Sequence, residues 1–142
     1  YVDELLEEMK EKKPKGYNLM LVLDDIPVTE RSTQLDQLFT LGRHYGITVI
    51  VSVQAAKGFL NPAIRENVDL YIWNKVGVKY LETIYEQINI EQVMTFKEFL
   101  HYTSFKSKYD FWLYDNVFGD DDDKLDNLKL VKAKQYDIKL KA

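Results

Sequence analysis

The stretch Leu19-Met20-Leu21-Val22-Leu23 constrains this chain most, because five apolar residues run without a break and are closed by Asp24 and Asp25. A continuous apolar run of that length between turn signals is the pattern of a strand buried on both faces of a parallel sheet. Parallel strands need helical crossovers, so the flanking sequence should alternate helix and strand. It does. Residues Tyr1 to Lys13 set Val2, Leu5, Leu6 and Met9 at helical spacing and end at Pro14 and Gly16. A second helix is predicted from Glu30 to Tyr45, with Leu35, Leu38, Phe39 and Leu41 as its apolar stripe, Ser32 or Thr29 as its cap and Gly46 as its stop. Ile47 to Val53, β-branched almost throughout, reads as another buried parallel strand whose end carries Ser52, Val53 and Gln54.

Beyond a connection holding Gly58 and Pro62, Val68 to Trp73 reads as a third short strand. Leu81, Ile84, Tyr85 and Ile88, then Val93, Phe96, Phe99 and Leu100, mark a pair of helices. Tyr109 to Val117 and Leu125 to Lys132 read as a terminal β-hairpin joined by the acidic turn Gly119 to Lys124. The expected fold is therefore α/β, with a mainly parallel sheet flanked by helices and a C-terminal β-hairpin. At 142 residues, residues 1–142 are expected to form one domain, and an apolar share of 46% is ample for its core.

Composition excludes several classes. No run approaches the roughly 20 apolar residues of a membrane-spanning helix, so no transmembrane segment is expected. The absence of cysteine removes disulfides and thiolate metal sites. A net charge of −4 gives the average surface no attraction for a polyanion, so a nucleic-acid contact would need a local basic patch or a partner subunit.

An apolar strand ending in two acids has the form of a Walker B motif. In open α/β sheets ligands lie beyond the carboxyl ends of the strands, so a carboxylate at Asp24 or Asp25 can reach a nucleotide-bound Mg2+, and the second acid can polarise the attacking water. The same Asp-Asp pair also suits an ordinary strand-ending turn. Gln54 ends the next strand at the equivalent edge, where it could bond a terminal phosphate or orient water, or be a surface amide.

The segments "LMLVLDDIP", "LFTLGRHYGITVIVSVQ" and "NPAIRENVDLYI", in this order and spacing, resemble the FtsK and HerA superfamily of DNA-pumping ATPases. Within it the chain is most similar to the poxvirus-type genome-packaging ATPases of large DNA viruses, through its Asp-Asp pair, the Gly-Arg-His before the second strand, and "YDFWLYDNV" ahead of a last basic strand. The resemblance covers most of residues 17–134 and implies the C-terminal half of a P-loop NTPase core of the RecA-like, additional-strand kind.

By the resemblance, Asp24 serves the Mg2+ shell, Asp25 activates water, Gln54 is the sensor glutamine, and Arg43 is an arginine finger reaching the neighbouring subunit's site. A guanidinium is always charged and can pair with two phosphate oxygens, which suits that role; the residues alone equally allow Arg43 to cap the preceding helix. The implied activity is ATP hydrolysis, with ATP and Mg2+ as cofactors, driving double-stranded DNA into a capsid. The implied partners are a homo-oligomeric ring and capsid or portal components of the packaging vertex. The implied location is the host cytoplasm, at the virus factory, or the virion. A non-catalytic P-loop-like interaction module and a cellular or plasmid relative of the same superfamily are the alternatives.

One departure bears on activity: the 142 residues hold no Gly-x-x-x-x-Gly-Lys-Ser/Thr, the loop whose amides and lysine bind phosphates. The resemblance places that loop upstream, so an N-terminal truncation is expected, and the fragment alone is expected to be inactive. Arg65 and Asn67 match the family pattern and are expected to organise their loop. His44 and His101 lack companions at ligand spacing and read as structural. The Asp120 to Asp123 run with Lys124 reads as a solvated hairpin tip. Lysines 129, 132, 134, 139 and 141 read as a solvated terminal strand, and the dense aromatics from Phe96 to Tyr114 as core rather than base-stacking platforms.

Overall fold

The computed structural model describes residues 1–26, 32–53, 59, 61–104, 107–117 and 124–133. The chain divides into two units, Tyr1–Val68 and Asp69–Ala142.

The first unit opens with α1 (Val2–Lys12), a 3-10 turn at Lys13–Lys15, and a stop at Gly16 in the left-handed region (φ 84°). Then follow β1 (Leu19–Leu23), α2 (Thr33–Leu41), a 3-10 turn at Gly42–Tyr45, β2 (Ile47–Val51) and α3 (Pro62–Arg65). β1 and β2 pair in parallel from Leu19 beside Ile47 to Leu23 beside Val51. This is the β-α-β crossover that the apolar run demanded. Ser32 caps α2 by accepting from the Leu35 amide, at 3.4 Å. Thr29, the other capping candidate, lies outside the described residues. Gly46 (φ 72°) is needed at its turn twice over: an L side chain rarely adopts that conformation, and a Cβ there would meet Asn18 Oδ1 at 2.9 Å.

The core of this unit joins Leu6 and Met9 of α1, Leu38 of α2 and Ile47 of β2, with Val2, Leu5, Leu19, Leu21, Leu23 and Val49 packed against them. The predicted stripe of α1, and Leu35 and Leu38 of that of α2, thus meet one face of the strand pair, whereas Leu41 of the predicted α2 stripe is 37% exposed. The other face differs from expectation. Met20, Val22 and Ile50 point away from both helices and are 65%, 56% and 48% exposed, so the strands are buried on one face and not on two. The reason is that α1 and α2 share a face, and alternate side chains of a strand point to opposite faces.

The second unit contains β3 (Leu70–Trp73), α4 (Val78–Gln87), α5 (Phe96–Tyr102), β4 (Asp110–Asp115) and β5 (Leu128–Lys132). Its sheet is antiparallel, in the order β3-β4-β5. The two strands of the terminal hairpin pair as predicted, slightly shorter, with residues 119–123 of the predicted acidic turn outside the described residues, whereas β3 joins them as an antiparallel neighbour, from Leu70 beside Asp115 to Trp73 beside Trp112. The α/β class holds, with a parallel strand pair in the first unit and an antiparallel sheet in the second. Aromatic rings fill the core: Tyr85 lies 5.4 Å from both Phe96 and Phe99, Trp73 lies 6.3 Å from Phe99, and Tyr102 lies 5.5 Å from Trp112. Phe99, Trp112 and Tyr114 are buried, as expected of core aromatics, and so is Trp73, whereas Tyr102 and Tyr109 are 50% and 41% exposed.

α5 begins at a reciprocal capping box. Thr95 Oγ1 accepts from the Glu98 amide, while the Glu98 carboxylate accepts from the Thr95 hydroxyl at 2.7 Å and amide at 2.8 Å. The side-chain bond first, and the backbone bond second, hold this carboxyl below its ordinary value. Thr95→Ala should lower unfolding stability by about 1 kcal/mol in chemical denaturation. The advantage of the wild type over Glu98→Gln should be complete above the ordinary carboxylate pKa and should fade as pH falls through the lowered folded value.

Candidate functional site

Parallel pairing decides what can meet at the end of β1. Beyond the last pair, Leu23 and Val51, the Ser52 amide donates to the Leu23 carbonyl at 2.9 Å and the Ile26 amide donates to the Ser52 carbonyl at 3.4 Å. These two bonds tie the carboxyl ends of β1 and β2 together, so Asp24-Asp25 and the chain leaving β2 emerge at one edge. Gln54 itself lies outside the described residues. Asp24 and Asp25 are both exposed, and Asp25 holds a left-handed backbone conformation, φ 52°. Asparagine and aspartate are among the few side chains that tolerate this region, which larger residues avoid. Strained positions of this kind cluster at working sites.

Exposed carboxylate oxygens are hard donors. One or two of them suit Mg2+, which keeps waters and takes its other ligands from substrate phosphates rather than from an all-protein cage. Consistent with that, no group of three or more potential metal-ligating side chains occurs among the described residues. Asp24 and Asp25 therefore fit a nucleotide-borne Mg2+ better than a resident structural metal.

Arg43 sits elsewhere. It belongs to the 3-10 turn between α2 and β2 and so precedes the amino end of β2. The five paired strand residues, rising about 3.3 Å each, separate the amino and carboxyl edges by about 16 Å. An arginine side chain spans less than half of that. Within this unit Arg43 and Asp24-Asp25 do not converge. The Arg43 guanidinium donates to the Asn67 carbonyl at 3.4 Å, just past α3. Lys13 donates to the carbonyl of the adjacent His44. Asn67 in turn closes the end of α3, its side-chain amide donating to the Ala63 carbonyl at 2.8 Å. His44 and His101 are both exposed.

Two residues escaped sequence reasoning. Asn61 accepts from the Ile64 amide at 3.0 Å, capping α3, and donates to Asp36 of α2 at 2.6 Å. The cap was legible in Asn61-Pro62, an N-cap residue followed by proline at the first helical position. The partner was not, because 25 residues separate Asp36 from Asn61.

An α/β unit with an acid-ended strand beside a second parallel strand has the layout of a nucleotide-binding ATPase core. The sequence profile of the poxvirus A32 protein family matches residues 1–141, and the chain belongs to that family. No curated protein sequence matches it. Among solved structures it is similar to the genome packaging NTPase B204 from Sulfolobus turreted icosahedral virus 2 in complex with ATP-gammaS, at 19% identity and TM-score 0.62, over 94% of this chain and 61% of that one. It is also similar to B204, the DNA-packaging ATPase from Sulfolobus turreted icosahedral virus, at 21% identity and TM-score 0.59, over 94% and 60%. At these identities the likeness is one of fold. The chain spans about three fifths of the length of those structures.

The left-handed Asp25 gives a test of the local geometry. Asp25→Asn should change stability by less than about 0.5 kcal/mol, whereas Asp25→Val should cost about 1 to 3 kcal/mol, read from urea denaturation midpoints.

Proposed function

We propose that this chain is the C-terminal part of a single ATPase core in a ring-forming motor that packages double-stranded viral DNA into a capsid. The observation that carries the reading is the separation of acid and arginine to opposite edges of one parallel strand pair, in a chain of the poxvirus A32 family. An arginine that cannot reach its own acidic edge can serve a neighbour's. That arrangement has a use in a ring, where each subunit offers its carboxyl edge to one neighbour and its amino edge to the other.

In this reading Asp24 holds the Mg2+ of bound ATP, which neutralises phosphate charge when present. Asp25 accepts a hydrogen bond from the attacking water and orients it. Gln54 senses the terminal phosphate from the next strand. Arg43 enters the neighbour's site and stabilises charge developing on its phosphates. The phosphate-binding loop is supplied from outside these residues, which contain no Gly-x-x-x-x-Gly-Lys-Ser/Thr, and the 142 residues alone do not hydrolyse ATP. With a net charge of −4, the grip on DNA depends on local contacts to the phosphate backbone rather than on overall attraction. Capsid or portal components are the remaining partners, and the protein acts in the host cytoplasm, at the virus factory, or in the virion.

Steady-state hydrolysis by the protein with its complete nucleotide site tests this. Asp25→Asn and Arg43→Ala should each reduce turnover by about a thousandfold. Mixing the two variants should restore activity that neither has alone, because an Arg43→Ala subunit keeps its acids and an Asp25→Asn neighbour supplies the arginine. Absence of any restoration would refute action in trans, and hydrolysis by the 142 residues alone would refute an external phosphate-binding loop.

A further inference from the structure

Described residues between β2 and β3 are bound to α2 at two points and to the turn after it at a third. Phe59 is buried, and its ring meets Phe39 of α2 edge to face, with centroids 6.1 Å apart. Asn61 donates to Asp36 in the first turn of α2. The Asn67 carbonyl receives the guanidinium of Arg43, two residues past the end of α2. α3 thus lies alongside α2 in the same sense, with its capped start near the start of α2 and its end at the turn that carries Arg43.

The direction of this strut matters. α2 starts after the carboxyl end of β1 and finishes before the amino end of β2. The Asp36–Asn61 contact therefore lies toward the edge that bears Asp24-Asp25, and the Arg43–Asn67 contact toward the opposite edge. The pair is half-buried and Asn61 is engaged on both sides, its oxygen at the Ile64 amide and its nitrogen at Asp36. Rotating or removing this one amide loosens the start of α3, and the carbonyl that receives Arg43 lies six residues further along.

We propose that Asn61, through its bond to Asp36, is a positioning residue for Arg43. It sets where α3 lies against α2, and so where the Arg43 guanidinium rests before it engages a neighbouring site. It makes no contact with nucleotide. This rests on the reading of Arg43 as a cation acting in trans, and it adds a mechanical link from the first turn of α2 to the turn that carries Arg43. Small displacements suffice, since a shift of about one ångström in a catalytic group can cost about a hundredfold in rate.

An exchange of the two partners tests the link in the ring-forming protein with its complete nucleotide site. Asn61→Asp keeps the oxygen that caps α3 but sets a carboxylate against Asp36, and Asn61→Ser keeps a capping oxygen without the amide donor. Each should lower kcat by about ten- to a hundredfold while nucleotide Kd stays within about twofold. Combining Asn61→Asp with Asp36→Asn restores a donor and an acceptor in reversed order with the charge unchanged, and should return kcat to within about threefold of wild type.

The discriminating readout is complementation. Asn61→Asp subunits should be rescued by Asp25→Asn subunits and not by Arg43→Ala subunits, the pattern of a defect in the cation offered to a neighbour. Wild-type turnover in Asn61→Asp, a reversed pair that stays inactive, or rescue by Arg43→Ala subunits would each overturn the proposal. Arg43→Ala run alongside separates the two levels. If it is inactive while Asn61→Asp is fully active, only the positioning role fails; if it is itself fully active, the trans reading fails and the positioning role with it.

Discussion

The in-register parallel pairing of β1 with β2 is the constraint on which the account depends. Five backbone-paired residues, Leu19 to Leu23 beside Ile47 to Val51, fix direction as well as neighbourhood. Because the strands run the same way, both carboxyl ends share an edge, and the two bonds linking Leu23, Ser52 and Ile26 extend that association one step past the sheet. For the same reason the turn immediately before β2, Arg43 included, is committed to the far edge. An antiparallel pair would have brought the arginine turn and the acids together. The parallel one sets them at opposite edges of a strand pair about 16 Å long, and in the proposed function that separation gives a second copy of the chain a chemical purpose.

The elements of the first unit were legible because local signals agreed with the global arrangement. The apolar run, the β-branched run, the stripes Leu5-Leu6-Met9 and Leu35-Leu38, and the stops at Gly16 and Gly46 each name their own element. What was not legible was the number of buried faces. A run such as Leu19 to Leu23 is compatible with two covered faces, yet both helices of the unit lie on the side of Leu19, Leu21 and Leu23, leaving Met20 and Val22 exposed. Burial is a property of what packs against a strand, and composition records only that it is permitted.

The second unit shows the same limit for pairing. Val68 to Trp73 reads correctly as a strand, but nothing in four or five residues says which neighbour it takes or in which direction. Its antiparallel partner β4 begins 37 residues after β3 ends, at Asp110. The aromatic residues were easier, since their helical and strand spacings suited Phe99 and Trp112 to a core, where both are buried. At the candidate site the position of the acids at the end of β1 was legible from the motif form, and Arg43 was singled out by the resemblance alone. The Asn67 carbonyl that holds Arg43 and the Asp36–Asn61 contact were not, because each is a tertiary hydrogen bond between residues 24 and 25 positions apart.

The most direct measurement is a structure of the assembled ring bound to a slowly hydrolysed ATP analogue. The account predicts the Asp24 and Asp25 carboxylates at the nucleotide held by their own subunit, and the Arg43 guanidinium within hydrogen-bonding reach of phosphates held by the next one. Arg43 directed at the nucleotide of its own subunit, or Asp24-Asp25 remote from any bound nucleotide, would contradict it.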